Sequence, residues 1–146
     1  MSRFLVMGAG KMGIVLAKDL IESDNRNKVT LVDISSKRLQ KAKKFIGSER
    51  LIPLQRDLEK ERQRQEIFKG QDVALAALLH KHSLLALETA ILKGVHFADL
   101  VGEKPLDRLK YDSEAKKKKV TIISGLGVSQ ASPIFVWEGL FICLMR

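Results

Sequence analysis

The sequence predicts an α/β fold: a doubly wound parallel sheet with helices on both faces, three layers α/β/α. Three observations carry that prediction. Short apolar runs alternate with stretches whose apolar residues recur at helical spacing, from Phe4 to Ile123. The first run, Phe4-Leu5-Val6-Met7, leads straight into Gly8-Ala9-Gly10-Lys11-Met12-Gly13, a Gly-x-Gly-x-x-Gly turn. A second run, Val29-Thr30-Leu31-Val32, ends in Asp33, twenty positions past Gly13. Strand, glycine turn, helix, strand and acid in that order open a dinucleotide-binding unit.

Each element follows from its residues. The first strand is apolar throughout, as a parallel strand covered on both faces must be. Gly8 turns the chain sharply off it. Gly10 lacks the Cβ that would obstruct a pyrophosphate, and Gly13 allows helix and strand to pack closely. The first helix then carries Ile14, Ala17 and Ile21 on one stripe. Its free N–H groups and positive dipole end suit phosphates, so the backbone amides of Lys11 and Met12 are candidate pyrophosphate donors. Asp33 is placed to accept hydrogen bonds from the adenosine ribose. Its charge would repel a 2′-phosphate and so favours NAD over NADP, while Ser35, Lys37 and Arg38 lie close enough to leave room for NADP.

Ser35 or Ser36 caps the second helix, Leu39, Ala42 and Ile46 form its inner stripe, and Gly47 ends it. Residues 50–55 read as a third strand, with Pro53 marking an edge position. Asp57 is a candidate cap for a third helix over residues 58–68 and a candidate neighbour of the adenine. The middle of that helix, residues 59–66, is almost wholly polar and should lie exposed, anchored by Leu58, Ile67 and Phe68. Residues 72–79 read as a central strand. Ala77 and Leu78 at its end would pack along the cofactor near the nicotinamide ribose.

His82 or Ser83 opens a fourth helix, with Leu84, Leu87 and Ile91 inside and Gly94 closing it. A fifth strand follows at residues 95–100. Pro105 starts another helix at its first position, and the lysines at 116–119 end a helix, where cations suit the dipole. Residues 120–123 are the sixth strand. Right-handed βαβ crossovers then give the Rossmann order 3-2-1-4-5-6, with a cofactor at the C-terminal ends of the strands.

Other function classes find little support. The positives, 26 Lys and Arg against 17 Asp and Glu for a net charge of +9, are spread over helix faces without interleaved aromatics. That is a solvated surface rather than a nucleic-acid interface. Cys143 is the single cysteine, which excludes an internal disulfide and points to a reducing compartment. Met1-Ser2-Arg3 runs directly into the first strand and leaves no room for a signal peptide. The apolar stretch at residues 134–145 is interrupted by Glu138 and falls short of the roughly 20 residues of a membrane span. A cytoplasmic chain with no membrane contact is expected. His80 and His82 form His-x-His, but no third ligand is placed by sequence and positions i and i+2 diverge on a helix, so a cap or surface role is expected and no metal. His96 reads as a packed histidine rather than a base. No complete catalytic set emerges, and no catalytic residue is assigned.

Residues 6–13, 72–78, 94–100 and 120–128, taken together, resemble the cofactor domain of saccharopine dehydrogenase-like and lysine dehydrogenase-like oxidoreductases. The resemblance covers residues 3–129. It implies an NAD(P)-dependent oxidoreductase, with an amino-acid or imine substrate bound by a second, α+β domain that also supports dimerisation. Leu79 stands where the family often has proline. After Ser129 the family pattern Pro-Gly-Leu-Ser-Asn is expected, and Gln130-Ala131-Ser132-Pro133-Ile134 is found. Residues 1–125 are therefore expected to form the NAD(P)-binding domain. Residues 126–146 are expected to be an apolar tail, either the start of a missing substrate domain or a frameshifted reading of it. On this reading the chain binds dinucleotide without robust turnover, and a homodimer stays open. The alternative is a non-catalytic nucleotide-sensing module like the regulatory Rossmann domains of potassium channels, which share the glycine turn and the acid and need no second domain. The segments 95–102 and 120–128 fit the dehydrogenase pattern better.

Overall fold

Strand β1 (Arg3–Met7) lies at the middle of a parallel six-stranded sheet, with β2 (Lys28–Asp33) on one side and β4 (Val73–Ala76) on the other. The computed structural model describes residues 2–100 and 106–126. Beyond β2 lies β3 (Leu51–Gln55); beyond β4 lie β5 (His96–Asp99) and β6 (Ile122–Ile123), so the order is β3-β2-β1-β4-β5-β6. This is the doubly wound order, reversing direction beside β1. Pro53 sits on the edge strand, where its missing N–H interrupts no second ladder.

The sheet is covered on both faces because alternate residues of its strands point opposite ways. Val6, Val29, Leu31 and Leu51 pack against Ala17 and Ile21 of α1 (Lys11–Ser23) and Leu39 and Ala42 of α2 (Ser36–Ile46). Leu5, Met7, Ala74, Ala76 and Phe97 meet Leu87 and Ile91 of α4 (His80–Lys93) and, from α3 (Glu61–Ile67) and the residue after it, Ile67 and Phe68. Two short helices, α5 (Leu106–Leu109) and α6 (Asp112–Lys118), lie between β5 and β6. Helix ends follow the expected chemistry. The Ser35 hydroxyl accepts from the Arg38 amide, and Gly47 and Gly94 end α2 and α4 in the left-handed region. Among the described residues no helix is long and apolar enough to cross a membrane.

Several expectations need correction. Helix α3 starts at Glu61 rather than Leu58, because Asp57 closes a turn instead of capping the helix: its Oδ1 accepts from the Glu59 amide at 2.9 Å and its carbonyl from the Lys60 amide at 3.2 Å. The polar middle of α3 is not wholly exposed. Arg64 is buried, its Nε donating to Thr89 Oγ1 at 3.0 Å and its Nη1 to the Leu58 carbonyl at 2.6 Å. Helix α4 opens at His80, two to three residues before the expected cap, and Ser83 lies inside it. His96 is exposed, with Nδ1 accepting from the Thr121 amide at 3.0 Å. Gly102, Pro105, Cys143 and residues 127–146, which hold most of the expected apolar tail, lie outside the described residues.

Candidate functional site

The turn after β1 is built by steric necessity. Gly8 has φ +98°, and a Cβ there would lie 2.5 Å from the Ala77 carbonyl oxygen. A Cβ at Gly13 would come within 1.7 Å of the Gly8 carbonyl oxygen, so α1 packs directly on the turn. Gly10 differs: a Cβ there meets nothing within 4 Å, and the space above it is open. Gly10 also stands at the N-cap of α1 with no side chain to cap it. The first intrahelical bond is Ile14 N–H to Gly10 O at 3.0 Å, which leaves the Lys11, Met12 and Gly13 amides without helical partners.

Asp33 joins this turn to the next. The residue is 7% exposed. Its Oδ2 accepts from the Ala9 amide at 2.8 Å and its Oδ1 from the Ser35 amide at 2.8 Å. A carboxylate offers about four acceptor positions, so these bonds leave capacity on both oxygens. The Arg38 guanidinium, largely exposed, stands 3.7 Å from Oδ2.

These elements open onto a cleft of about 280 Å³ at the C-terminal ends of β1 to β4. Of the residues singled out from sequence, Gly8, Gly10, Asp33, Asp57, Ala77 and Leu78 all line it. Lys11, Met12 and Gly13, in the first turn of α1, are not among its lining residues. Sequence reasoning missed Ile34, Arg56, Leu58, Leu79 and His82 as lining residues. The signal was there: each follows within a few positions of the C-terminal end of β2, β3 or β4, or sits in the first turn after it. Arg38 also lines the cleft, facing the Asp33 carboxylate. Leu79 holds φ −70° and ψ 156°, a backbone that proline would also adopt, so its departure from proline leaves the local path intact.

Next to the cleft-lining Leu58, Glu59 accepts from Lys81 Nζ at 3.0 Å and from Nε2 of the cleft-lining His82 at 3.2 Å. Those two groups hold the Glu59 carboxyl below its ordinary value. His80 turns the other way, its Nε2 lying 3.1 Å from Asp107 Oδ2. The two histidines thus serve different carboxylates, and among the described residues no group of three metal-type ligands gathers.

A family model described as the Saccharopine dehydrogenase NADP binding domain matches residues 4–123. Among solved structures the chain is similar to apo saccharopine dehydrogenase (L-Glu forming) from Saccharomyces cerevisiae, at 16% identity and a TM-score of 0.75, over 88% of this chain and 28% of that one. It is also similar to biliverdin reductase from Synechocystis, solved with biliverdin and NADP+, at 16% identity and a TM-score of 0.65, over 84% of this chain and 37% of that one. A probable dehydrogenase from Thermotoga maritima is similar at 23% identity and a TM-score of 0.61, over 84% and 35%. This chain spans well under half the length of each of the three. At such identities the likeness is one of fold.

Proposed function

The chain belongs to the family of saccharopine dehydrogenase NADP binding domains, and from that premise we propose that it holds a pyridine dinucleotide across the cleft above β1. The adenosine ribose takes the remaining acceptor positions of Asp33. The pyrophosphate lies over Gly10 and the open amides of α1, and the nicotinamide half runs toward Ala77, Leu78 and Leu79. The observation that carries this reading is the empty space over Gly10. Gly8 and Gly13 are required by the fold itself, since a Cβ at either would collide with backbone. Gly10 meets no such demand, so the role that fits its missing side chain is close approach of a ligand.

The residues present suit either form of the cofactor. Asp33 binds a free 2′-hydroxyl and supports NAD. Arg38 at 3.7 Å and Arg56 on the same cleft supply cations that would pair with a 2′-phosphate and support NADP. When bound, the nicotinamide supplies hydride chemistry. This chain contributes binding and orientation. In the longer enzyme the substrate would be an amino acid or its imine, held against the nicotinamide by residues outside the cofactor domain, and a cytoplasmic setting fits the lone Cys143. Hydride transfer requires both partners at reacting distance, so cofactor binding by this domain is a step separable from turnover.

Gly10→Leu tests the reading. The substitution should leave the fold intact, since nothing lies within 4 Å of its Cβ, while its side chain fills the pyrophosphate path. Calorimetric titration with NADH and NADPH should show binding to the parent chain and none to the variant. Unchanged affinity in a folded Gly10→Leu chain would overturn the site.

A further inference from the structure

One strand beyond the cleft, on the β5 side of β4, a second carboxylate is buried more deeply than Asp33. Asp99, the last residue of β5, is 1% exposed. Its Oδ2 accepts from Ser83 Oγ at 2.6 Å, from Arg108 Nε at 3.1 Å and from Arg108 Nη2 at 2.5 Å. Its Oδ1 accepts from the Gly125 amide at 3.2 Å, and its carbonyl from the Leu126 amide at 3.0 Å. One residue therefore ties together α4, α5 and the segment after β6.

The link to the cleft runs through Ser83. This residue is fully buried, and its amide donates to the Leu79 carbonyl at 2.9 Å, closing the first turn of α4. Leu79 and His82 on that turn both line the cleft. A serine near a helix start usually bonds to local backbone; here the hydroxyl reaches across to β5 instead, and α4 has no side-chain cap. A buried ion pair is also a poor way to gain stability, because desolvation offsets much of the attraction. What it does supply is a fixed geometry. Arg108 neutralises the carboxylate, so a strong acceptor for the Ser83 hydroxyl is held in the interior without an uncompensated charge.

We propose that Asp99 is a positioning residue for the dinucleotide cleft: through Ser83 it sets the turn at residues 77–79 against which the nicotinamide half of the cofactor rests. This rests on the cofactor reading above.

The test separates the two halves of the ligand. Ser83→Ala removes one hydroxyl and leaves the Asp99–Arg108 pair in place. Titration of parent and variant with the tighter-binding reduced dinucleotide and with ADP, which lacks the nicotinamide riboside, gives two affinities for each. Loss of one buried hydrogen bond predicts a fall of about three- to tenfold for the dinucleotide, an unchanged affinity for ADP, and a smaller change in nicotinamide fluorescence on binding. Equal losses for both ligands, or no loss for either, would overturn the positioning role. A parent chain that binds neither ligand would remove the cofactor reading itself, so the two failures are distinguished by the parent titration.

Discussion

Asp33 and Asp99 are the two buried acids among the described residues, and each is the last residue of a parallel strand. Their surroundings differ in one respect. Asp33 is held by two backbone amides, its one cation stands 3.7 Å away with a side chain 62% exposed, and it lines the cleft. Asp99 is closed in by a buried guanidinium, a buried hydroxyl and an amide. The same residue type at equivalent ends of the sheet thus does opposite work. Amide donors hold a carboxylate while leaving it open to a ligand. A buried cation and hydroxyl consume it and convert it into a fixed joint.

The largest test of this contrast is stability. Asp99→Asn would break the buried Asp99–Arg108 ion pair by removing one charge, a change that costs about 3–5 kcal/mol. Asp33→Asn keeps one acceptor oxygen and faces no buried cation, so the loss should be about 1–2 kcal/mol. Urea denaturation of both variants measures the difference. A larger loss at Asp33 would mean that the glycine turn, and not the Asp99 joint, is the more tightly built half.

A smaller effect is expected in cofactor choice. Arg38 is largely exposed, lines the cleft and stands 3.7 Å from Asp33, so a 2′-phosphate there would pair with it. Arg38→Ala should therefore weaken NADPH by about three- to tenfold while NADH changes little. Parallel titrations decide it. Equal effects on the two ligands would assign Arg38 to the pyrophosphate or adenine rather than to the ribose.

The two halves also differ in how much of them could be read from sequence. The strand, the glycine turn and Asp33 are all set within the first 33 residues, and their spacing alone conveys the geometry. Strand order followed from alternation of elements. The Asp99 joint could not be read this way, because Ser83 and Arg108 look like an ordinary helix-cap candidate and a surface cation until α4 and α5 are docked on β5. Arg64 was hidden for the same reason. In a run of polar residues nothing distinguishes the one whose guanidinium meets Thr89 on a neighbouring helix. Asp57 illustrates the converse: its local pattern suggested a helix cap, but a tight turn uses the same side chain and the helix begins three residues later than expected, at Glu61.

An exposed link joins the segment after β3 to α4: the clasp of Glu59 on Lys81 and His82. All three groups have substantial contact with water, so salt screens the attraction and its contribution should be small. Its pH dependence has a definite sign. Lys81 and His82 lower the folded-state value of Glu59 from its ordinary 4.5. The clasp therefore contributes fully above that ordinary value and is lost as pH falls through the lowered one. Glu59→Gln removes the charge at every pH. The variant should release dinucleotide slightly faster than the parent at neutral pH and low salt, and the difference should shrink at high salt. Stopped-flow release rates measured at two ionic strengths provide the check. A difference that persists undiminished in high salt would show that Glu59 acts on the ligand through packing or direct contact, and that the two halves are joined by more than charge.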